Sequence, residues 1–132
     1  MSRDLVRLKF KTHFDAAHWL RNYEGQCSNV HGHRWRVIVT IAGERSSLDR
    51  AGLLVDFKLL KNLINDMLPD HECLNHIKPF SEANGNINPT AENIAIFYFQ
   101  MIQDRLVFFN VEIEEIEICE SDNASAIYRG GK

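Results

Sequence analysis

The chain has 132 residues, 45% of them hydrophobic, 25% charged and 10% aromatic. That length and balance describe one globular domain spanning residues 1–132 and exclude a disordered, collagenous or membrane-embedded chain. With 15 Lys and Arg against 18 Asp and Glu, the net charge of −3 provides no basic field for a nucleic-acid backbone. Residues 5–14 come first, with Leu8, Phe10, Thr12 and Phe14 alternating against Lys9, Lys11 and His13. This period-2 pattern predicts a half-buried strand. A second strand is expected over 34–42, where Trp35, Val37, Val39 and Ile41 share a face, and a polar turn region follows from Gly43 to Gly52.

Asp56 is placed to cap a helix carrying Phe57, Leu60, Leu63, Ile64, Met67 and Leu68 at helical spacing, with Pro69 as its stop. Residues 81–89, containing Asn84-Gly85-Asn86, are rich in turn formers. Thr90 then suits an N-cap, Glu92 suits the first turn, and Ile94, Phe97, Tyr98, Met101, Ile102 and Arg105 trace one helical face. Residues 111–119 read as a third strand. Its step of three between Ile113 and Ile116 predicts a bulge or a late strand start. A last strand over 126–128 closes a hairpin through Ser121-Asp122-Asn123. The order ββααββ implies an α+β domain, with an antiparallel four-stranded sheet and two helices on one face.

The chemistry concentrates in histidines. His31 and His33 stand two apart at the start of the second strand, so their rings point to one face and can converge on one ion. Gly32 between them leaves room for a turn or a ligand. His18, just past the first strand, returns beside them if the two strands form an antiparallel hairpin. Three neutral imidazoles describe a catalytic zinc site with one open position. Cys27, four residues before His31, admits three readings: a fourth ligand closing a structural site, a thiolate base beside the metal, or an inert buried thiol.

Asp70-His71 follows the first helix in a segment without regular structure, where a histidine beside a carboxylate can accept and return a proton. Glu120 stands at the end of the third strand, apart from Glu112, Glu114, Glu115 and Glu117, which are expected on an exposed face. His13 and His76 read as ordinary polar residues, Trp19 and Trp35 as packing residues, and Cys73 and Cys119 as buried thiols. Three widely spaced cysteines suit free thiols in a reducing compartment. Met1-Ser2-Arg3-Asp4 opens no signal-peptide run and no apolar stretch is long enough to span a bilayer, so a cytoplasmic address without a membrane partner is expected.

In order along the chain, these motifs resemble the 6-pyruvoyl-tetrahydropterin synthase family, and within it the 6-carboxytetrahydropterin synthase branch of queuosine biosynthesis. The matching residues are Phe14-Asp15-Ala16-Ala17-His18, Cys27-x-x-x-His31-Gly32-His33 and Val55-Asp56-Phe57. Asp70-His71-x-x-Leu74-Asn75, Asn88-Pro89-Thr90-Ala91-Glu92-Asn93, and Glu120 with Ile127-Tyr128-Arg129-Gly130 complete the set. The resemblance implies the tunnelling fold and a lyase acting on 7,8-dihydroneopterin triphosphate. His18, His31 and His33 would be its zinc ligands and Cys27 the base. Asp70 and His71 would form a proton relay, Glu120 a further relay or the anchor for the pterin ring, and Thr90 a lining residue of the pterin pocket. It also implies hexamers built from two trimers, with sites between subunits.

The three-residue gap between Cys27 and His31 favours the branch that forms 6-carboxy-5,6,7,8-tetrahydropterin, triphosphate and acetaldehyde. A 6-pyruvoyltetrahydropterin product on the same scaffold is the alternative. A non-catalytic interaction domain, with Cys27 as fourth zinc ligand, is the alternative of another class. Asp15 and Glu72-Cys73 depart from the commoner family pattern. Arg21, Arg129 and Lys132 are phosphate-binding candidates by charge alone.

Overall fold

The computed structural model describes residues 3–131, and five strands among them form one sheet. β1 (Leu5–His18) and β2 (His31–Glu44) are a long antiparallel pair running from Leu5 opposite Glu44 to His18 opposite His31. Both strands extend beyond the segments that strict alternation marks out. His18 is thus the last residue of β1, and His31 and His33 lie inside β2. β4 (Glu112–Ser121) pairs antiparallel with β2, and β5 (Ala124–Tyr128) with β4. The fifth strand corrects the expected four. β3 (Glu72–Cys73) is a two-residue parallel edge beside Ala16 and Ala17, too short to show any period.

The helices are α1 (Phe57–Asn65) and α2 (Ala91–Arg105). Asp56 caps α1 by accepting from the Lys58 N–H at 2.8 Å. The α1 hydrogen-bond pattern tightens before Pro69: the N–H groups of Met67 and Leu68 donate three residues back, to Ile64 and Asn65. The ring of Pro69 disfavours helical geometry at Leu68, which accounts for a helix ending at Asn65 rather than reaching the proline. Thr90 caps α2, its hydroxyl accepting from the Asn93 N–H at 3.1 Å. The inward face of α2 is Ile94, Ala95, Tyr98, Phe99 and Ile102. Phe97 and Met101 are only partly buried and Arg105 is exposed, so the stripe is rotated by one residue from the expected one.

α2 packs on β4 and β5 and α1 on β1. The even residues of β1 and the odd residues of β2 face the core, with Phe14 and Trp35 fully buried and stacked at 6.1 Å. In β4 the expected bulge is present. Thr40 pairs with Glu115 and Ile41 with Ile113, leaving Glu114 as the extra residue, so Ile113, Ile116 and Ile118 all face inward. Two acidic residues of β4 are held by arginines: Arg7 meets Glu114 and Arg129 meets Glu115, each at 2.8 Å.

Removing the α1 cap with Asp56→Ala should cost about 1 kcal/mol, and Ile64→Ala, which empties a fully buried position on the same helix, about 2–5 kcal/mol. Urea denaturation midpoints of the two variants check this order; equal losses would contradict it.

Candidate metal centre and active site

The sheet geometry converts two strand periods into one cluster. His18 follows Phe14 and Ala16 on the inner face of β1, and His31 and His33 continue the row of Trp35, Val37 and Val39 on β2. Glu120 continues the row of Ile116 and Ile118 on β4. It is the extra residue of a second bulge, since Cys119 pairs with Ser125 and Ser121 with Ala124. The inner face therefore turns from apolar to polar at one end of the sheet. There one ligand atom each from His18, His31, His33 and Glu120 lies within 4.8 Å of the others. Trp35 forms the floor, its indole edge-on to His18 at 4.9 Å and to His33 at 5.2 Å, with its N–H on the Ala16 carbonyl.

Two carbonyls decide the state of the rings. His18 Nδ1 lies 2.7 Å from the Pro89 oxygen and His31 Nδ1 lies 2.7 Å from the Asn29 oxygen. A carbonyl only accepts, so both Nδ1 atoms carry the proton and both Nε2 atoms present lone pairs. Those two Nε2 atoms face each other at 3.0 Å. Neither neutral ring can donate to the other, and only a cation or a shared proton relieves the contact. Burial lowers the pKa of His18, opposed by its bond to Pro89, and burial lowers that of His33, opposed by Glu120. Both effects favour the neutral, ligating form. His33 Nε2 is buried without a hydrogen bond, and Glu120 Oε1 lies 3.2 Å from it and 3.5 Å from His18 Nε2. Three imidazoles suit zinc with one position left open, and the Glu120 carboxylate stands within reach of the same point.

Cys27 belongs to a 3-10 turn, Gln26–Ser28, and the Leu20 N–H donates to its carbonyl at 2.8 Å. It lines a cavity of about 630 Å³ with His31, His33 and Glu120. Cys27 is not in the ligand group found among the described residues, which leaves it beside the cluster rather than within it. Glu120 also borders a second cavity of about 350 Å³, formed by Ala91, Glu92 and residues 124–127. Thr90 stands next to that cavity, its hydroxyl committed to the α2 cap.

Asp70 and His71 are brought together but not with Cys27. His71 Nδ1 lies 2.9 Å from Asp70 Oδ2, and both side chains are exposed. The pair is fastened to β1: Asp70 Oδ1 accepts from the Asp15 N–H at 2.8 Å, and the His71 N–H donates to the Asp15 carbonyl at 2.7 Å. These bonds hold His71 at a φ of 59°, a left-handed conformation uncommon for a residue with a side chain. The Asp15 N–H, with His71, keeps the Asp70 carboxyl below its ordinary range. Asp15 itself forms an ion pair with Arg34 at 3.0 Å. His71 opens onto a third cavity, of about 450 Å³, that Gly32 also lines and that shares His33 with the cavity beside the cluster. A side chain at Gly32 would meet only the Ala16 oxygen at 3.9 Å, so the glycine keeps this opening clear rather than relieving a clash.

Of the charged candidates, Arg129 is paired with Glu115. Arg21 donates to the carbonyls of Phe80 and Ile87 at 2.7 and 2.8 Å, which makes it a loop brace. Lys132 lies outside the described residues. Cys119 is buried as expected, whereas Cys73, on the edge strand, is only partly buried. The carbonyls of Pro89 and Asn29 were invisible to sequence reading, because backbone acceptors have no residue signature.

Residues 7–131 match the family described as 6-pyruvoyl tetrahydropterin synthase. The chain belongs to that family. Among its relatives, the 6-carboxy-5,6,7,8-tetrahydropterin synthase of Bacillus subtilis is 39% identical over 92 residues, covering 69% of this chain and 61% of that protein. The chain thus matches less than two thirds of that relative's length. The enzyme of the same name from Synechocystis is 32% identical over 110 residues, covering 82% and 83%. The structure of Caenorhabditis elegans 6-pyruvoyl tetrahydropterin synthase superposes with a TM-score of 0.78 at 26% identity, covering 98% of this chain and 99% of that one. This is a family of enzymes, and the fold is its tunnelling fold. Among the described residues no helix is long and apolar enough to cross a membrane.

The depressed pKa values of His18 and His33 have a sign. The unfolded chain, with histidines at 6.5, binds protons more readily than the folded one. Their contribution to stability is present above pH 6.5 and is lost as pH falls below it. The denaturation midpoint of metal-free protein should therefore fall on acidification from neutral pH toward pH 5, before the lowered carboxylates Asp15 and Asp70 begin to protonate. A flat midpoint across that window would contradict the buried, neutral assignment.

Proposed function

We propose that the protein is a zinc-dependent lyase converting 7,8-dihydroneopterin triphosphate and water into 6-carboxy-5,6,7,8-tetrahydropterin, acetaldehyde and triphosphate. The observation that carries this reading is the placement of Cys27, which lines the same cavity as His31, His33 and Glu120 yet stays outside the ligand group. A thiol beside an open three-histidine centre is an arrangement for proton abstraction, not for a closed structural site. Family membership and the names of the Bacillus and Synechocystis relatives support the same reaction.

His18, His31 and His33 would hold the zinc. When bound, the ion supplies Lewis-acid polarisation of the substrate side-chain oxygens, which makes the adjacent C–H more acidic. Cys27, as thiolate, takes the proton from that carbon. Glu120 receives the pterin edge, since a carboxylate accepts two parallel N–H bonds, and Thr90 stands next to the neighbouring cavity, which Ala91 and Glu92 line. Asp70 orients His71 through Nδ1 and leaves Nε2 to exchange the second proton. The exposure of that dyad and its separate opening support a complete site shared between copies, in keeping with a hexamer of two trimers. Free thiols at Cys27, Cys73 and Cys119 suit a reducing cytosol, where the product would enter queuosine biosynthesis.

The test is an anaerobic incubation of zinc-loaded protein with 7,8-dihydroneopterin triphosphate, followed by mass spectrometry. The expected products are 6-carboxytetrahydropterin and acetaldehyde. A pyruvoyl product without acetaldehyde would move the chain to the reaction named for its Caenorhabditis neighbour. Absence of turnover by folded, zinc-bound protein would overturn the lyase reading. Cys27→Ala should retain zinc and melting temperature while losing roughly 10²–10⁴-fold in rate. Joint loss of metal and fold would instead support a structural site.

A further inference from the structure

Two asparagines outside the ligand set make the same contact beside it. The Asn75 side chain accepts from the Trp19 N–H and donates to the Trp19 carbonyl, both at 2.9 Å. The Asn88 side chain grips Arg21 in the same way, again at 2.9 Å in both directions. A backbone N–H and C=O on one residue are what a neighbouring strand would satisfy. β1 ends at His18, and a primary amide, with acceptor and donors on one plane, substitutes for the missing strand.

The two grips bracket the parts of the site that most need to be held. Residues 19–21 follow His18 directly, and between the grips the Leu20 N–H holds the Cys27 carbonyl. Asn88 is itself braced, its carbonyl accepting from Asn93 Nδ2 at 2.9 Å and from the Thr90 N–H at 2.8 Å. Its neighbour Pro89 supplies the carbonyl on His18 Nδ1. Asn75 is 4% exposed, so its amide has no role in solvent.

We propose that Asn75 and Asn88 are positioning residues of the metal centre, clamping residues 19–21 so that the His18 ring stays on the Pro89 carbonyl with Nε2 aimed into the cluster. If Asn88 slides, the Pro89 oxygen leaves His18 Nδ1 and the ring is free to take its other tautomer. If Asn75 lets go, the end of β1 swings and the same contact opens. Asp at either position keeps the acceptor but not the donor, and Ala keeps neither. The zinc identity used in the test rests on the proposed function; the clamp itself does not.

Two readouts separate positioning from general stability. Zinc affinity is measured by chelator competition well below the melting transition. The His18 tautomer is read by long-range ¹⁵N–¹H NMR on metal-free protein at mildly alkaline pH. Asn75→Ala and Asn88→Ala should weaken zinc roughly 10- to 100-fold, the scale of lost partners behind a ligand, and turn a single Nδ1–H tautomer into a mixture. Asn88→Asp should fall between, and it decides on the same readouts if the alanine variants fail to fold. Asp56→Ala, a remote cap, should lower stability and move neither readout. Variants that lose stability yet keep parental zinc affinity and a single tautomer would overturn the proposal. If the parent binds no zinc, the proposed function fails, and the tautomer alone still decides the clamp.

Discussion

The contact on which the site depends is the 3.0 Å approach of His18 Nε2 to His31 Nε2. Two neutral imidazoles do not choose this arrangement for each other's sake, because each offers a lone pair and neither offers a proton. It persists because each ring is fixed from behind, one by the Pro89 carbonyl and one by the Asn29 carbonyl. The strands add their own constraint: His18 and His31 are register partners at the end of the β1–β2 pair, which keeps their backbones side by side. A cation placed there would accept both lone pairs, so the ligand directions are set by the fold. That is preorganisation in the ordinary physical sense, with the ligand geometry set during folding.

The position of the cluster follows from how the core is built. Phe14, Trp35 and Ile116–Ile118 occupy one face under the helices, and the same three rows end in His18, His33 and Glu120. Trp35 belongs to both regions, filling the core and walling the rings from water on one side. Burial then does chemical work, holding His18 and His33 neutral at physiological pH. The groups proposed to handle protons stand differently. Cys27 sits on a short turn at the cavity wall, and the Asp70–His71 dyad hangs from the β1 edge, where the exposed side chains face outward. On the proposed function, a rigid donor set with accessible acid–base groups around it divides stability from chemistry.

Much of this was legible in the sequence because period and parity are local properties. The alternation of His31 and His33 with Trp35, the caps at Asp56 and Thr90, and the bulge implied by Ile113 and Ile116 all hold in the fold. The misses have physical reasons. β3 is two residues long and owes its existence to hydrogen bonds with β1, so no pattern announces it. Strand ends at His18 and His31 exceed the apolar alternation because histidines stand there in place of apolar core residues. The face of α2 shifts because Phe99 packs inward against Tyr128 at 5.1 Å, a tertiary contact. Arg129 and Arg21 looked like anion binders by charge, and their partners Glu115, Phe80 and Ile87 emerge only from long-range folding. Glu120 joins the histidines across about a hundred residues of chain, a distance at which spacing carries no information.

The open three-histidine centre with Cys27 beside it is tested most directly by zinc K-edge X-ray absorption on the zinc-loaded protein. The expected first shell contains nitrogen and oxygen at about 2.0–2.1 Å, with no sulfur near 2.3 Å. A zinc–sulfur distance would put Cys27 on the metal, close the site and remove the base. Failure to retain zinc would contradict the reading of the facing imidazoles as a metal centre.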